Sequence, residues 1–335
     1  MMRKSLIFLA LVGSISLGII FCAASFSRAA SPAPGASGYH VIKTVSVPGD
    51  EGWDYLIVDS DARRVYISHA THVVVMNADT YAIEGDIPDT QGVHGIALAP
   101  DLGRGFISNG RANTATIFDL KTLKTIVTVK TDANPDAILY DPVTKHVFTF
   151  NGRGKNATVF NGADGAVVGT IPLGGKPEFA VADGKGTVYV NDEDSSELHH
   201  LDANAMKELH KWPLAPCKSP SGLAIDLKNK RLFSVCDEKV MAIVDGDTGK
   251  VVATPAICDG PDASAFEPRR ATFSPPAATA TSLSFTRIHP TNTPWWKMSP
   301  PRRPPAPWAS TSKPTIFFFL PPNSIHRLPA SDAAR

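Results

Sequence analysis

Acidic residues and histidines recur along this chain at a spacing close to forty. Asp54, His94, Asp136, Glu178, Ser221 and Asp262 form one such series. A second series, His69, Asn109, Asn151, Asn191 and Cys236, follows some fifteen residues behind the first, with Arg111 and Arg153 just beyond. If the repeat puts each series at equivalent loops, both open on one face. They would then surround one opening with carboxylates, histidines and two guanidinium groups, a set suited to a cation or a small polar ligand. Asp and Asn at strand ends also cap turns through nearby backbone N–H groups, and a repeat copies such residues whether or not they bind anything.

Other chemistry is thinner. His69-x-x-His72 has the look of a metal pair, but it lies on a turn between strands, where a spacing of three fixes no geometry, and no third ligand is close in sequence. His199 and His200 are adjacent on a strand and so point to opposite faces. Neither pair predicts a metal, and no cofactor is expected. The body lacks a Gly-x-Ser-x-Gly elbow and a Cys-x-x-Cys-His haem motif. Asn151–Lys155 (NGRGK) resembles a phosphate cradle, yet it lies between strands and not before a helix, so the mechanism of such a loop fails there. Trp53, beside Asp54, reads as inter-blade packing or as a stacking platform.

The elements that must hold these residues are strands. Aligned on an aromatic residue, the repeat places Tyr66, Phe106, Phe148, Tyr189 and Phe233 at steps of 40, 42, 41 and 44. A polar turn precedes each aromatic, and a third strand follows it, closing at Asn77, Asp119, Asn161, Asp202 or Asp245. An outer fourth strand is read at Ile83–Ile87, Leu123–Lys130, Val167–Pro172, Leu209–Leu214 and Val251–Ile257. Four short strands per forty residues predict an all-β fold, a β-propeller with five visible blades. His40–Val47 reads as a lone outer strand that would close the ring against the far end of the chain, which matters because an open sheet edge invites aggregation.

The ends differ from the body. Residues 1–30 combine a short basic start (Arg3, Lys4), an apolar run and small residues, the pattern of a cleavable secretory signal. Residues 31–38 read as a flexible lead-in, and 39–268 as the propeller. Without leader and tail, about 23 Lys and Arg face 31 Asp and Glu, a sign that opposes electrostatic nucleic-acid binding. An exported body would hold Cys217, Cys236 and Cys258 in an oxidising compartment, with a Cys217–Cys236 or a Cys236–Cys258 bridge open to it. Residues 269–335 form a Pro-rich basic tail: residues 271–335 hold 13 of the 28 prolines and a single acid, Asp332. Proline at that density is expected to exclude further blades. Read one base earlier, codons around Phe285–Met298 permit a strand-like peptide, so the tail is expected to be frameshifted, with the break between Phe266 and Arg270, and disordered.

The repeat itself, in GWDYLIVDSDARRVYISH (Gly52–His69), GVHGIALAPDLGRGFISNGR (Gly92–Arg111) and TIFDLKTLK (Thr116–Lys124), resembles the YncE-like, YVTN-repeat β-propellers of bacteria. That resemblance implies an exported, seven-bladed ring, periplasmic or extracellular, and often of unknown role. Single-stranded DNA binding is reported for one member, but no motif here carries it over. The expected function is a non-enzymatic, monomeric binding scaffold for a protein, an envelope component or a small polar ligand, with no membrane span after cleavage. The runner-up is a propeller enzyme, lactonase-like or dehydrogenase-like, whose acidic ring binds an ion that activates water.

Overall fold

The structure, a computed structural model, describes Val45, Val47, residues 53–257 and 260–267, and the short stretches 272–274, 285–287 and 296–298. The leader, the lead-in, most of His40–Val47, Cys258, the side chain of Trp53 and most of the tail lie outside the described residues. Among the described residues no helix is long and apolar enough to cross a membrane.

Six four-stranded antiparallel sheets follow one another along the chain. The first holds β1 (Trp53–Asp59), β2 (Arg64–His69), β3 (His72–Asn77) and β4 (Ile83–Ile87), and the second β5 (Val93–Ala99), β6 (Arg104–Asn109), β7 (Thr114–Asp119) and β8 (Thr125–Lys130). The third holds β9 (Pro135–Asp141), β10 (His146–Asn151), β11 (Asn156–Asn161) and β12 (Val167–Pro172). The fourth holds β13 (Pro177–Ala182), β14 (Thr187–Asp192), β15 (Glu197–Asp202) and β16 (Lys207–Pro213). The fifth is β17 (Pro220–Asp226), β18 (Arg231–Cys236), β19 (Val240–Asp245) and β20 (Val251–Ala253). The sixth is β21 (Ala265–Glu267), β22 (Thr272–Ser274), β23 (Phe285–Arg287) and β24 (Trp296–Met298). Each sheet pairs its strands in sequence order, as meandering blades do.

Local chemistry sets the boundaries. The acid or amide that closes each third strand accepts the backbone N–H groups of the turn it begins: Asn77 those of Asp79 and Thr80, Asp119 those of Lys121 and Thr122, Asp245 those of Asp247 and Thr248. Asp59 and Asp226 do the same between first and second strands. A left-handed residue then returns the chain, as at Tyr81, Leu123 and Met206, or at Gly165 and Gly249, where φ is 80° and 72°. Such turns suit hairpins whose strands twist right-handedly.

The aromatic of each second strand is buried between blades. Tyr66 meets Phe118 at 5.8 Å between ring centroids, Phe106 meets Phe160 at 6.2 Å, and Phe233 stacks on Phe266 at 5.5 Å, so each contact joins one repeat to the next. The buried clusters likewise straddle neighbouring sheets; one holds Phe148, Phe150, Val159 and Ile171 with Val188, Val190 and Leu201. On the first blade, Val45 and Val47 pack against Val65, Ile67, Val74 and Met76.

The sixth sheet departs from expectation. Sheet pairing continues to Met298, past the point where the proline content leads one to expect blades to end. The reason is positional: Pro275, Pro276, Pro290 and Pro294 fall between the three-residue strands, not within them, and a connection tolerates proline where a ladder does not.

Candidate functional site

In five successive blades the innermost strand carries a β-bulge. Between Trp53 and Leu56, Val93 and Ile96, Pro135 and Ile138, Pro177 and Ala180, and Pro220 and Leu223, two residues face one on the second strand. The first bulged residue in each case is Asp54, His94, Asp136, Glu178 or Ser221, the series read from the sequence. A bulge re-aims side chains out of the ladder and is common beside functional sites. Ser68 and Ser108 secure two bulges: Ser68 Oγ donates to the Tyr55 carbonyl at 3.0 Å, and Ser108 Oγ accepts from Gly95 N at 2.8 Å.

On the first three blades the bulged residues meet. His94 Nδ1 lies 2.5 Å from Asp54 Oδ2 and 3.9 Å from Asp136 Oδ1. One donor atom from each of the three fits within 4.8 Å. The imidazole lies against Gly110, where a Cβ would stand 2.7 Å from its Cδ2 and 2.8 Å from its Nε2. The hydrogen bond to Asp54 raises the His94 pKa against the opposing effect of burial, helped by the charge of Asp136. Burial pushes Asp136 up, and His94 pulls it back.

On blades four to six lies a cavity of about 330 Å³, lined by Lys176, Glu178, Glu193, Ser219, Ser221, Asp237, Gly260, Pro261 and Asp262. Lys176 Nζ reaches Glu178 Oε2 at 3.1 Å and also pairs with Glu193. Even so, burial and the neighbouring Asp136 push the Glu178 carboxyl up to about 7. Asp262 is also raised, by burial and then by Asp54, Glu193 and Asp237. Lys176 is raised by its carboxylate partners against its own burial. One lysine among four carboxylates leaves the cavity short of positive charge.

The two halves share a centre. Tyr55 from β1 stacks on Phe179 from β13 with ring centroids 5.6 Å apart, joining the first blade to the fourth across the axis. Burial raises the Tyr55 hydroxyl well above its ordinary value, reinforced by Asp136, Glu178, Asp54 and Asp262 together.

The second series behaves differently. Asn109 and Asn151 are buried, and their side-chain amides latch the second strand to the third, donating to Thr116 Oγ1 and Thr158 Oγ1, each at 2.9 Å. Their amide groups are engaged inside the blades, so they do not line the opening. The register also corrects the alignment of the fourth blade. Cα pairing sets Trp53 opposite His69, Val93 opposite Asn109, Pro135 opposite Asn151 and Pro220 opposite Cys236; Pro177 faces Asp192, not Asn191. Asn191 instead donates to the Ser221 carbonyl at 2.8 Å, tying the fourth blade to the fifth. Asp192 takes the latch position and lies 3.3 Å from the buried His199, whose Nδ1 pairs with Glu208. His69 is buried, its ring 4.5 Å from that of His72. Arg111 and Arg153 are exposed. Cys236 is buried and disulfide-bonded to Cys217, the Cα atoms 5.6 Å apart.

Lys176, Glu193 and Asp237 are the site residues that sequence reasoning misses. A signal for them exists. Glu193 and Asp237 follow Asp192 and Cys236 as Gly110 follows Asn109, so they fill the place that Gly110 leaves empty for His94. Lys176 and Ser219 precede the prolines that open β13 and β17.

Repeated meandering sheets packed face to face around bulged inner strands make this protein a β-propeller. One solved structure that it resembles is the hydrazine synthase of Kuenenia stuttgartiensis, with a TM-score of 0.52 and 13% identity over 74% of this chain and 99% of that chain. At that identity the likeness concerns the fold alone. No family model and no curated protein matches the sequence.

Proposed function

We propose that this chain is an exported, monomeric propeller of the YncE-like, YVTN-repeat type that binds a small cationic ligand, such as a primary amine, in the cavity of blades four to six. The observation that carries this reading is the lining of the cavity, where one lysine, Lys176, faces four carboxylates, Glu178, Glu193, Asp237 and Asp262; burial, and then the neighbouring Asp136, hold the Glu178 carboxyl up at about 7. An ammonium group seated among Glu178, Glu193, Asp237 and Asp262 supplies the missing charge, and Ser219 and Ser221, the latter with its hydroxyl donated to the Pro261 carbonyl, line the rest of the cavity. Function therefore rests on capture, with no chemical step required.

The test is a calorimetric titration of the purified chain at pH 8 with a panel of small amines, against neutral and acidic analogues of matched size. Amines should bind, and Glu178→Gln with Asp262→Asn should abolish binding. Equal response to neutral analogues, or unchanged amine binding by the double variant, overturns the reading. A second reading, a hydrolase in which Glu178 moves a proton, draws on the same value near 7, since general acids and bases work best near the ambient pH. Turnover of a lactone or ester that Glu178→Gln abolishes would favour it. The frameshift expected between Phe266 and Arg270 stands as a further proposal, tested by resequencing codons 260–275.

A further inference from the structure

We propose that Asp54, His94 and Asp136, on the first three blades, form a binding site for a first-row divalent metal ion such as Mn²⁺ or Zn²⁺ that shares no residue with the amine cavity. Three observations carry the site. The donor atoms of all three residues fit within 4.8 Å. An ion that binds nitrogen and oxygen at about 2.0–2.2 Å holds its donors roughly 3–4 Å apart, so small side-chain rotations bring all three to it. The His94–Asp136 separation of 3.9 Å is already in that range, and the 2.5 Å His94–Asp54 contact must open slightly.

The second observation is how the donors are held. They are the first bulged residues of three consecutive inner strands, so their backbones are fixed by three separate ladders and not by one loop. The His94 ring has a slot kept for it by Gly110, in the place where the fourth and fifth blades carry Glu193 and Asp237. A histidine seated between two carboxylates selects against the all-oxygen preference of Mg²⁺ and Ca²⁺ and for softer first-row ions. The third observation is access. The side chains of Asp54 and His94 remain 33% and 31% exposed, which leaves the outer coordination positions to water or to a ligand. On binding, the ion takes the place of the proton between Nδ1 and Asp54, and that proton leaves to solvent.

The chain is freed of metal by chelation and dialysis, then titrated calorimetrically with MnCl₂ and ZnCl₂, with bound metal counted by elemental analysis. The expected result is one ion per chain, bound at least tenfold more weakly after His94→Ala and after Asp136→Asn. Asp247→Asn, on an exposed turn of the fifth blade, should bind as the parent does. Should the site variants fail to fold, the Mn²⁺ complex of the parent chain still decides the matter. Its electron-spin-echo spectrum should show nitrogen modulation from one coordinated imidazole, and its absence overturns the site. No stoichiometric binding by the parent, or undiminished binding by both variants, overturns it as well. Amine titrations run in chelator report on the cavity alone, so failure of either site is told apart from failure of the other.

Discussion

Replacing Glu178 with glutamine should make this protein more stable, by an amount that grows as pH rises from about 4.5 and is complete above about 7. The carboxyl is held at about 7 against an ordinary 4.5, chiefly by burial and then by Asp136, with Lys176 offsetting part of the effect. Between those two values the folded chain binds a proton that the unfolded chain has released. Stability therefore falls as pH rises through the window, and the full cost is present above pH 7. Burying a carboxylate under these conditions costs the folded state about 3 kcal/mol at pH 8. Glutamine keeps the shape and removes the charge, and Lys176 retains Glu193 as its partner. Urea melts followed by circular dichroism, parent against Glu178→Gln, should differ by about 1–3 kcal/mol in favour of the variant at pH 8 and by almost nothing at pH 4.5. In thermal melts the same difference is roughly 2–10 °C in Tm at pH 8. A variant less stable than the parent at pH 8, or a difference that does not change with pH, refutes the argument that the cavity lacks positive charge. The same substitution is expected to weaken amine binding, which sets stability against function in one residue.

Three further outcomes can be measured. Gly175→Ala places a Cβ 2.1 Å from both carboxylate oxygens of Asp192 and should destabilise the chain by about 2 kcal/mol or more in urea melts by breaking the Asp192–His199 latch. Cutting the Cys217–Cys236 bridge, which spans 19 residues, with reductant or by Cys217→Ser should cost about 3 kcal/mol, read as a shift in denaturation midpoint. Phe148→Ala empties a fully buried position between the third and fourth blades and should cost about 3–5 kcal/mol, with the two blades losing amide-exchange protection together.

The fold was largely written in the spacing. Five aromatics at forty-residue steps marked the second strands, and the closing residues Asn77, Asp119, Asn161, Asp202 and Asp245 end the third strands as read, because short polar side chains cap turns locally. The first ring series was legible for the same reason: each member sits at a fixed distance before its aromatic, and the bulge preserves that distance. Asn109 and Asn151 misled because sequence position places a residue at the end of a strand without saying which way it faces; their amides turn inward to a threonine two residues into the next strand. Asn191 was placed in the second series one position early, since Asn191 and Asp192 are chemically alike on paper and only the ladder, which pairs Pro177 with Asp192, separates them. Lys176 escaped notice because no other repeat carries a base there. The sixth sheet escaped because proline was counted over a window, whereas a strand depends on where each proline falls.

The stacked rings of Tyr55 and Phe179, with centroids 5.6 Å apart, tie the inner strands of the first and fourth blades together. An aromatic pair contributes about 0.5–1.5 kcal/mol beyond the area it buries. Such a clip joins segments more than a hundred residues apart in sequence, so loosening the first blade is expected to loosen the fourth with it.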